Sequence, residues 1–197
     1  MTDEERERWD ERYRSGGYQP RSWPSPFLEE WLPRLPVGRA LVVACGTGRN
    51  ALRLAEAGFD VTAIDISSVA IGTAAGEADR RGLDVDWRVG DLDQTDIESA
   101  AFDLITVIRF RSATLWPRLV DGLAPGGHLL VEHHLQTTAD VAGPTSPDFR
   151  LEPQELIRAY LGRLRILHYD ERIEPADSHG ARYAIARLVA VNGDPGF

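Results

Sequence analysis

Between residues 40 and 133, short apolar runs alternate with amphipathic stretches in a regular order. The runs ALVVA (40–44), DVTAID (60–65), VDWRV (85–89), FDLITVI (102–108) and HLLVEH (128–133) are rich in Val, Ile and Leu. Glycine, aspartate or proline flanks most of them, which predicts β-strands. Residues 49–57, 68–81 and 114–123 repeat their apolar positions at helical spacing, with Gly58 placed to end the first helix and Ser67 to cap the second. Strands alternating with helices predict an α/β fold, a parallel sheet covered on both faces. After residue 133 the pattern changes: TTADVAGPTSPDFRLEP is loop, and PQELIRAYL is a short helix opened by Pro153. RLRILHYDERI and ARYAIARLVAV then read as two strands joined by a polar link (174–181), most simply antiparallel. The sum is seven strands, five parallel and an added hairpin. Residues 1–38 stand apart as a mixed-charge helix followed by a segment holding five prolines between 20 and 36. A segment so rich in proline drapes over a sheet and does not extend it. The expected division is a lid or cap over residues 1–38 and a single domain over 39–197.

Composition narrows the class. A chain of 197 residues with 43% hydrophobic and 27% charged residues has the profile of one globular domain. No apolar run approaches the ~20 residues that span a bilayer, and the charged N-terminus does not read as a signal peptide. The expectation is a cytoplasmic protein without a membrane partner, acting as a monomer or homodimer. The single cysteine, Cys45, excludes an internal disulfide and a cysteine-based zinc cluster. Net charge is -9 and all 22 basic residues are arginine, so no basic tract favours nucleic acid. Absence of lysine also removes P-loop and Schiff-base chemistry.

The chemistry begins in VVACGTGRNALRLAEAGFDVTAID, residues 42–65. Gly46, Gly48 and Ala51 satisfy the dinucleotide pattern G-x-G-x-x-[G/A], and Asp65 follows close to 20 residues on, suited to accept from ribose hydroxyls. These features alone do not separate a nicotinamide cofactor from another adenosine. Asp91, just beyond the third strand in VGDLDQTD, is placed to accept from the exocyclic amine of an adenine. The C-terminal hairpin is something a dehydrogenase half-domain does not need.

VVACGTGRNALRLAEAGFDVTAIDIS, VGDLD, FDLITVIRF and LAPGGHLLVE together resemble the successive motifs of class I S-adenosylmethionine-dependent methyltransferases. The resemblance is nearest to the small tellurite-resistance and thiopurine methyltransferase type. It covers about residues 9–190, including WDERY, PSPFL and PDFRLEPQELIRAY. It implies a Rossmann-like, seven-stranded, mostly parallel sheet in the order 3-2-1-4-5-7-6 with strand 7 antiparallel. It also implies S-adenosyl-L-methionine as cofactor and a small-molecule acceptor. The cofactor residues so implied are Ala44, Gly46, Gly48 and Asn50 in the turn, Asp65 and Ile66 after the second strand, and Asp91 and Leu92 after the third. Trp9 and Tyr13, four apart on one helix face, would close over them. One departure stands out: where the family usually has an acid and then a glycine two positions later, this chain has Val42 and Ala44.

The acceptor is expected at the carboxyl ends of the fourth and fifth strands. Arg109 is the candidate anion-recognising residue there, with Arg111 beside it, and His133 is the candidate base. No spaced ligand set supports a metal, so none is expected. A thiolate or chalcogen oxyanion acceptor needs no base, and its charge cancels that of the sulfonium in the transition state. Two other readings remain open at this point: an NAD(P)-dependent oxidoreductase, and a cofactor-binding module of the same fold that turns over nothing.

Overall fold

The computed structural model describes residues 3–18, 21–176 and 180–194. His179 and the middle of the polar link (174–181) lie outside the described residues. The chain runs α1 (Asp3–Arg14), α2 (Pro26–Trp31), β1 (Arg39–Val43), α3 (Arg49–Glu56), β2 (Asp60–Asp65), α4 (Ser68–Arg81) and β3 (Asp86–Val89). It continues through β4 (Phe102–Ile108), α5 (Leu115–Gly122), β5 (Leu123–His134), α6 (Glu155–Tyr160), β6 (Arg165–Ile173) and β7 (Ala184–Val191). One seven-stranded sheet has the order β3-β2-β1-β4-β5-β7-β6. Strands β1 to β5 pair in parallel, and β7 is antiparallel to both β5 and β6. This is the fold class and strand order expected from the sequence.

Period-two alternation divides the core between the two faces. Ile105, Val107, Leu129, Val131, Leu188 and Ala190 point to one face, where Leu115, Trp116 and Leu119 of α5 and Leu156 and Tyr160 of α6 cover them. Leu104, Ile108, Leu130 and Val189 point to the other, against Phe27, Leu28 and Trp31 of α2, Ala51 and Leu54 of α3 and Ile71 of α4. Helix α2 therefore belongs to the core packing of that face. Ser25 caps it, its hydroxyl accepting from the Phe27 N–H at 3.2 Å, and Pro26 takes the first turn, where a missing N–H costs nothing.

Strand β5 starts earlier than its apolar run suggests. Phe102 pairs with Leu123, but pairing then resumes at Leu104 with His128, so the Ala124–Gly127 stretch bulges out of the ladder. The proline and glycines that signal a turn here make a bulge. A side chain at Gly127 would lie 2.5 Å from the Phe102 carbonyl oxygen. Asn192, just past β7, ties the bulge down by donating to the Leu123 and Ala124 carbonyls at 2.9 and 3.2 Å. Helix α6 likewise begins at Glu155, with Gln154 in the left-handed region as its cap, two residues after Pro153.

Candidate active site

The glycine turn between β1 and α3 is built by its own backbone. Ala44, Gly46 and Gly48 all have positive φ, +50°, +56° and +83°. Gly48 is obligatory for packing: a side chain there would lie 2.7 Å from the Trp87 ring and 2.8 Å from the Ala74 methyl. Ala44 takes at some strain a conformation glycine adopts freely. Asp65, at the end of β2, fixes the turn from the side. One carboxylate oxygen accepts the Gly46 N–H at 2.8 Å, the other the Ser67 N–H at 2.9 Å. Burial pushes its pKa up, and the two backbone donors offset only part of that rise. Asp65 thus braces the turn, while each oxygen keeps a second lone pair for a ligand.

Helix α1 reaches this turn through a contact absent from the sequence reading. Asp10 is buried and accepts from the Ser67 hydroxyl at 2.6 Å, the Ser68 hydroxyl at 3.1 Å and the Val69 N–H at 3.2 Å. It caps the first turn of α4, where a carboxylate also meets the positive end of the helix dipole. Burial raises its pKa, but the hydrogen bonds to Ser67, Val69 and Ser68 outweigh burial and hold it below the usual 3.8. Docked this way, α1 brings Trp9, Tyr13 and Tyr18 into one cluster with ring centroids 5.4–6.1 Å apart. The Tyr13 hydroxyl lies over Gly46, 3.0 Å from where a side chain would begin. Burial and the nearby Asp65 raise its pKa, so it stays a hydrogen-bonding phenol. Of the expected cofactor residues, Tyr13, Ala44, Gly46, Gly48 and Asp65 converge here, with Trp9 beside them. Asn50 accepts the Ser25 N–H at 2.9 Å and so ties the start of α3 to α2. Ile66 is buried directly after Asp65; the Leu92 side chain lies in the core and its carbonyl accepts from Arg118 at 2.7 Å, which leaves its backbone N–H for any ligand contact. Asp91 shapes the loop after β3, one oxygen accepting the Asp93 N–H at 2.9 Å. Burial holds the Cys45 thiol protonated, well above its ordinary pKa.

The carboxyl ends of β4 and β5, with the amino-terminal half of the antiparallel β7, hold a second, differently built region. Strand alternation would send Arg109 to the face of Val107. Its φ of +65° breaks the alternation, and the guanidinium instead meets Glu132 at 3.3 Å and His134 Nδ1 at 3.1 Å, on the face of Ile108 and Leu130. A left-handed arginine costs about 1–3 kcal/mol, and such strain clusters at functional sites. Glu132 is 2% exposed. Its other oxygen accepts Arg187 Nε at 2.8 Å, Arg187 also pairs with Glu174, and the Ser25 hydroxyl lies 3.4 Å from Glu132. Arg111 points away, bridging Glu155 at 3.0 Å.

His133 faces the opposite side of the sheet from Arg109, its Nε2 3.1 Å from the Phe149 carbonyl while Nδ1 has no hydrogen-bond partner among the described residues. Burial, and then the charge of Arg109, hold His133 down to about 3 and His134 to about 2. Both imidazoles are neutral and weakly basic at physiological pH. His168 packs between Phe27 and Trp31, with ring centroids 5.6 and 5.7 Å away. No group of three metal-ligating side chains occurs among the described residues, nor any helix long and apolar enough to cross a membrane.

Sequence reasoning missed Asp10, Arg187, Glu174 and Trp87. Only Arg187 carried a signal, a charged residue inside the apolar run AIARLVAV; the others sit in stretches that give none.

Residues 40–127 match a family model described as a methyltransferase domain. A ubiquinone biosynthesis O-methyltransferase of Caulobacter sp. (strain K31) is 30% identical over 163 residues, covering 72% of this chain. The chain spans only 60% of the length of that curated relative. TehB from Haemophilus influenzae superposes with a TM-score of 0.73 at 22% identity, covering 93% of this chain and 67% of that one. An S-adenosylmethionine-dependent methyltransferase of Methanosarcina mazei gives 0.70 at 18% identity, covering 87% and 99%.

Proposed function

We propose, from the premise that residues 40–127 form a methyltransferase domain of the class I, S-adenosylmethionine-dependent type, that this protein methylates a small anionic or soft acceptor such as a thiolate or a chalcogen oxyanion. When bound, S-adenosylmethionine supplies an activated methyl group on a sulfonium. The site fits such a cofactor on its own geometry. The turn is open above Gly46 except for the Tyr13 hydroxyl, and Asp65 stands beside it with lone pairs to spare. In this reading the chain's own residues bind and orient. The Ala44–Asn50 turn, with Ile66, Asp91 and the Leu92 backbone, holds the adenosine end, and Trp9 and Tyr13 keep water out. With Val42 in place of an acid, the methionine end relies on backbone groups and on the N-terminal segment.

The observation that carries the acceptor class is Arg109. A positively charged side chain is turned, against strand alternation and at a backbone cost, toward the place where ligands bind in such sheets. Alignment of an anionic nucleophile with the methyl group contributes several kcal/mol to such a displacement. The neutral, weakly basic His133 and His134 support an acceptor that arrives already ionised, since neither is a base matched to neutral pH. In this reading His133 shapes the pocket wall and holds the Phe149 loop. The -9 net charge supports a small molecule over nucleic acid.

Arg109→Met tests the reading. Turnover with an anionic acceptor such as a thiolate should fall by ~100-fold or more, the loss of one charge-assisted contact in the transition state. S-adenosylhomocysteine affinity should change little. Glu132 keeps Arg187, so the fold should survive. Equal losses with neutral amine acceptors, or a lower melting temperature without loss of turnover, would assign Arg109 to structure.

A further inference from the structure

Among the buried charges at the ends of β4, β5 and β7, four cancel. Arg109 and Arg187 meet Glu132, and Arg187 also meets Glu174. Arg21 and Arg49 stand beside this balanced set, and neither has a carboxylate within ion-pair distance among the described residues. Contacts tie both to the same basin. The Arg21 guanidinium lies 5.2 Å over the Tyr183 ring, and that ring is 6.0 Å from His134, which touches Arg109. Arg49 donates to the Trp23 carbonyl at 3.1 Å, and its neighbour Asn50 holds Ser25, whose hydroxyl approaches Glu132. Burial holds the Arg49 guanidinium below its ordinary pKa; Tyr18 and Glu132 push it back up, while the positive charges of Arg21 and Arg109 push it further down. Two half-buried, mutually repelling cations persist in a chain of net charge -9. An uncompensated charge withdrawn from water is costly unless something of opposite sign joins it. Glu132 and Glu174 reach them only at a distance and are already matched by Arg109 and Arg187, and the two neutral histidines add no negative charge.

We propose that Arg21 and Arg49 form an oxyanion clamp that holds a fixed carboxylate or phosphate of the methyl acceptor. The acceptor is then a small acid whose anionic handle is separate from the atom that is methylated. The proposal rests on the methyl-transfer reading but not on Arg109. The planar guanidinium fork suits a two-oxygen anion, and stacking on Tyr183 pre-orients Arg21. The exposed Trp23, whose carbonyl anchors Arg49, offers an apolar rim for the body of such a ligand. The same chemistry has a second source, the carboxylate of the cofactor's methionine end, and the experiment separates the two.

Inorganic phosphate is titrated calorimetrically, at constant ionic strength set with sodium chloride, onto the parent chain with and without saturating S-adenosylhomocysteine. The same titrations follow for Arg21→Met, Arg49→Met and the double variant, with exposed Arg158→Met as control. The expected result is phosphate binding to the S-adenosylhomocysteine complex, weakened at least 10-fold by either single variant and abolished by the pair. S-adenosylhomocysteine affinity should move less than 3-fold, and the control should match the parent. Phosphate binding that chloride matches, or that survives the double variant, overturns the clamp. A 10-fold loss of S-adenosylhomocysteine affinity, with phosphate competing against it, overturns the acceptor assignment and gives the pair to the cofactor's carboxylate. Failure of the parent to bind S-adenosylhomocysteine defeats the methyl-transfer reading alone, because the titration onto the unliganded chain still decides whether the arginines hold an anion.

Discussion

The two halves of the site are held together by different forces. At the ends of β1 and β2, rigidity comes mostly from the backbone: three left-handed residues in five, one carboxylate bound to two backbone N–H groups, and a helix cap, with Asp10 the one distant side chain. At the ends of β4, β5 and β7, it comes from side chains remote in the chain. Glu132 meets Arg187 across 55 residues and Ser25 across 107. A turn braced by backbone donors has one geometry that any adenosine cofactor can use. A pocket built from long ion-paired side chains changes with one substitution. In the proposed reading the first part holds a shared cofactor and the second selects the acceptor.

Substitutions that strike one half test this contrast. The largest effect should come from Glu132→Leu, which leaves Arg109 and Arg187 facing each other in the interior with Glu174 as the one close carboxylate among the described residues. Removing one partner from a buried ion pair costs about 3–5 kcal/mol. Denaturant unfolding should show that loss, and a change below about 1 kcal/mol would mean the network is not what holds the acceptor half together. Asp65→Asn should come next. An amide can accept from only one of the two N–H groups, and each charge-assisted bond is worth about 1.5–3 kcal/mol. Stability and S-adenosylhomocysteine affinity should fall together, because brace and ligand contact share one carboxylate. Loss of affinity at unchanged stability would separate the two roles and weaken the idea of a pre-built turn. The smallest effect belongs to Ala44→Gly, which relieves a left-handed alanine at the cost of a more flexible unfolded chain. The net gain should be about 0.5–1 kcal/mol, read as a small rise in melting temperature with cofactor binding retained.

Legibility in the sequence follows the same line. The alternating strands and helices, the antiparallel C-terminal hairpin and the positions of Gly46, Gly48 and Asp65 could be read because each rests on local rules: period-two runs, a G-x-G turn, an acid one strand later. The strand order itself came only from the resemblance to class I methyltransferases. Ser67 as a cap followed from its place before a periodic run. Pro125, Gly126 and Gly127 misled, since turn chemistry also serves a bulge, and only the partner strand decides which forms. The direction of Arg109 was beyond reach for a related reason. One φ value reverses the face of a side chain, and nothing in VIRFRS marks that residue as left-handed. Glu132 stands next to His133 in the sequence, yet its partners Arg187 and Arg109 could be assigned only once β5 was known to lie between β4 and β7. His133 itself, read as a candidate base from its place at the strand end, faces the other side of the sheet from Arg109 and is held neutral by burial.

The central claim is that the braced turn serves S-adenosylmethionine and not a nicotinamide, and side-by-side calorimetry addresses it most directly. S-adenosylmethionine, S-adenosylhomocysteine and NAD are each titrated onto the purified chain, with melting temperature recorded in parallel. The account predicts saturable one-to-one binding of the first two, a stabilisation of roughly 2.7 kcal/mol at about 100 times the dissociation constant, and no shift with NAD. Binding and stabilisation by NAD, with neither S-adenosyl compound bound, would contradict it.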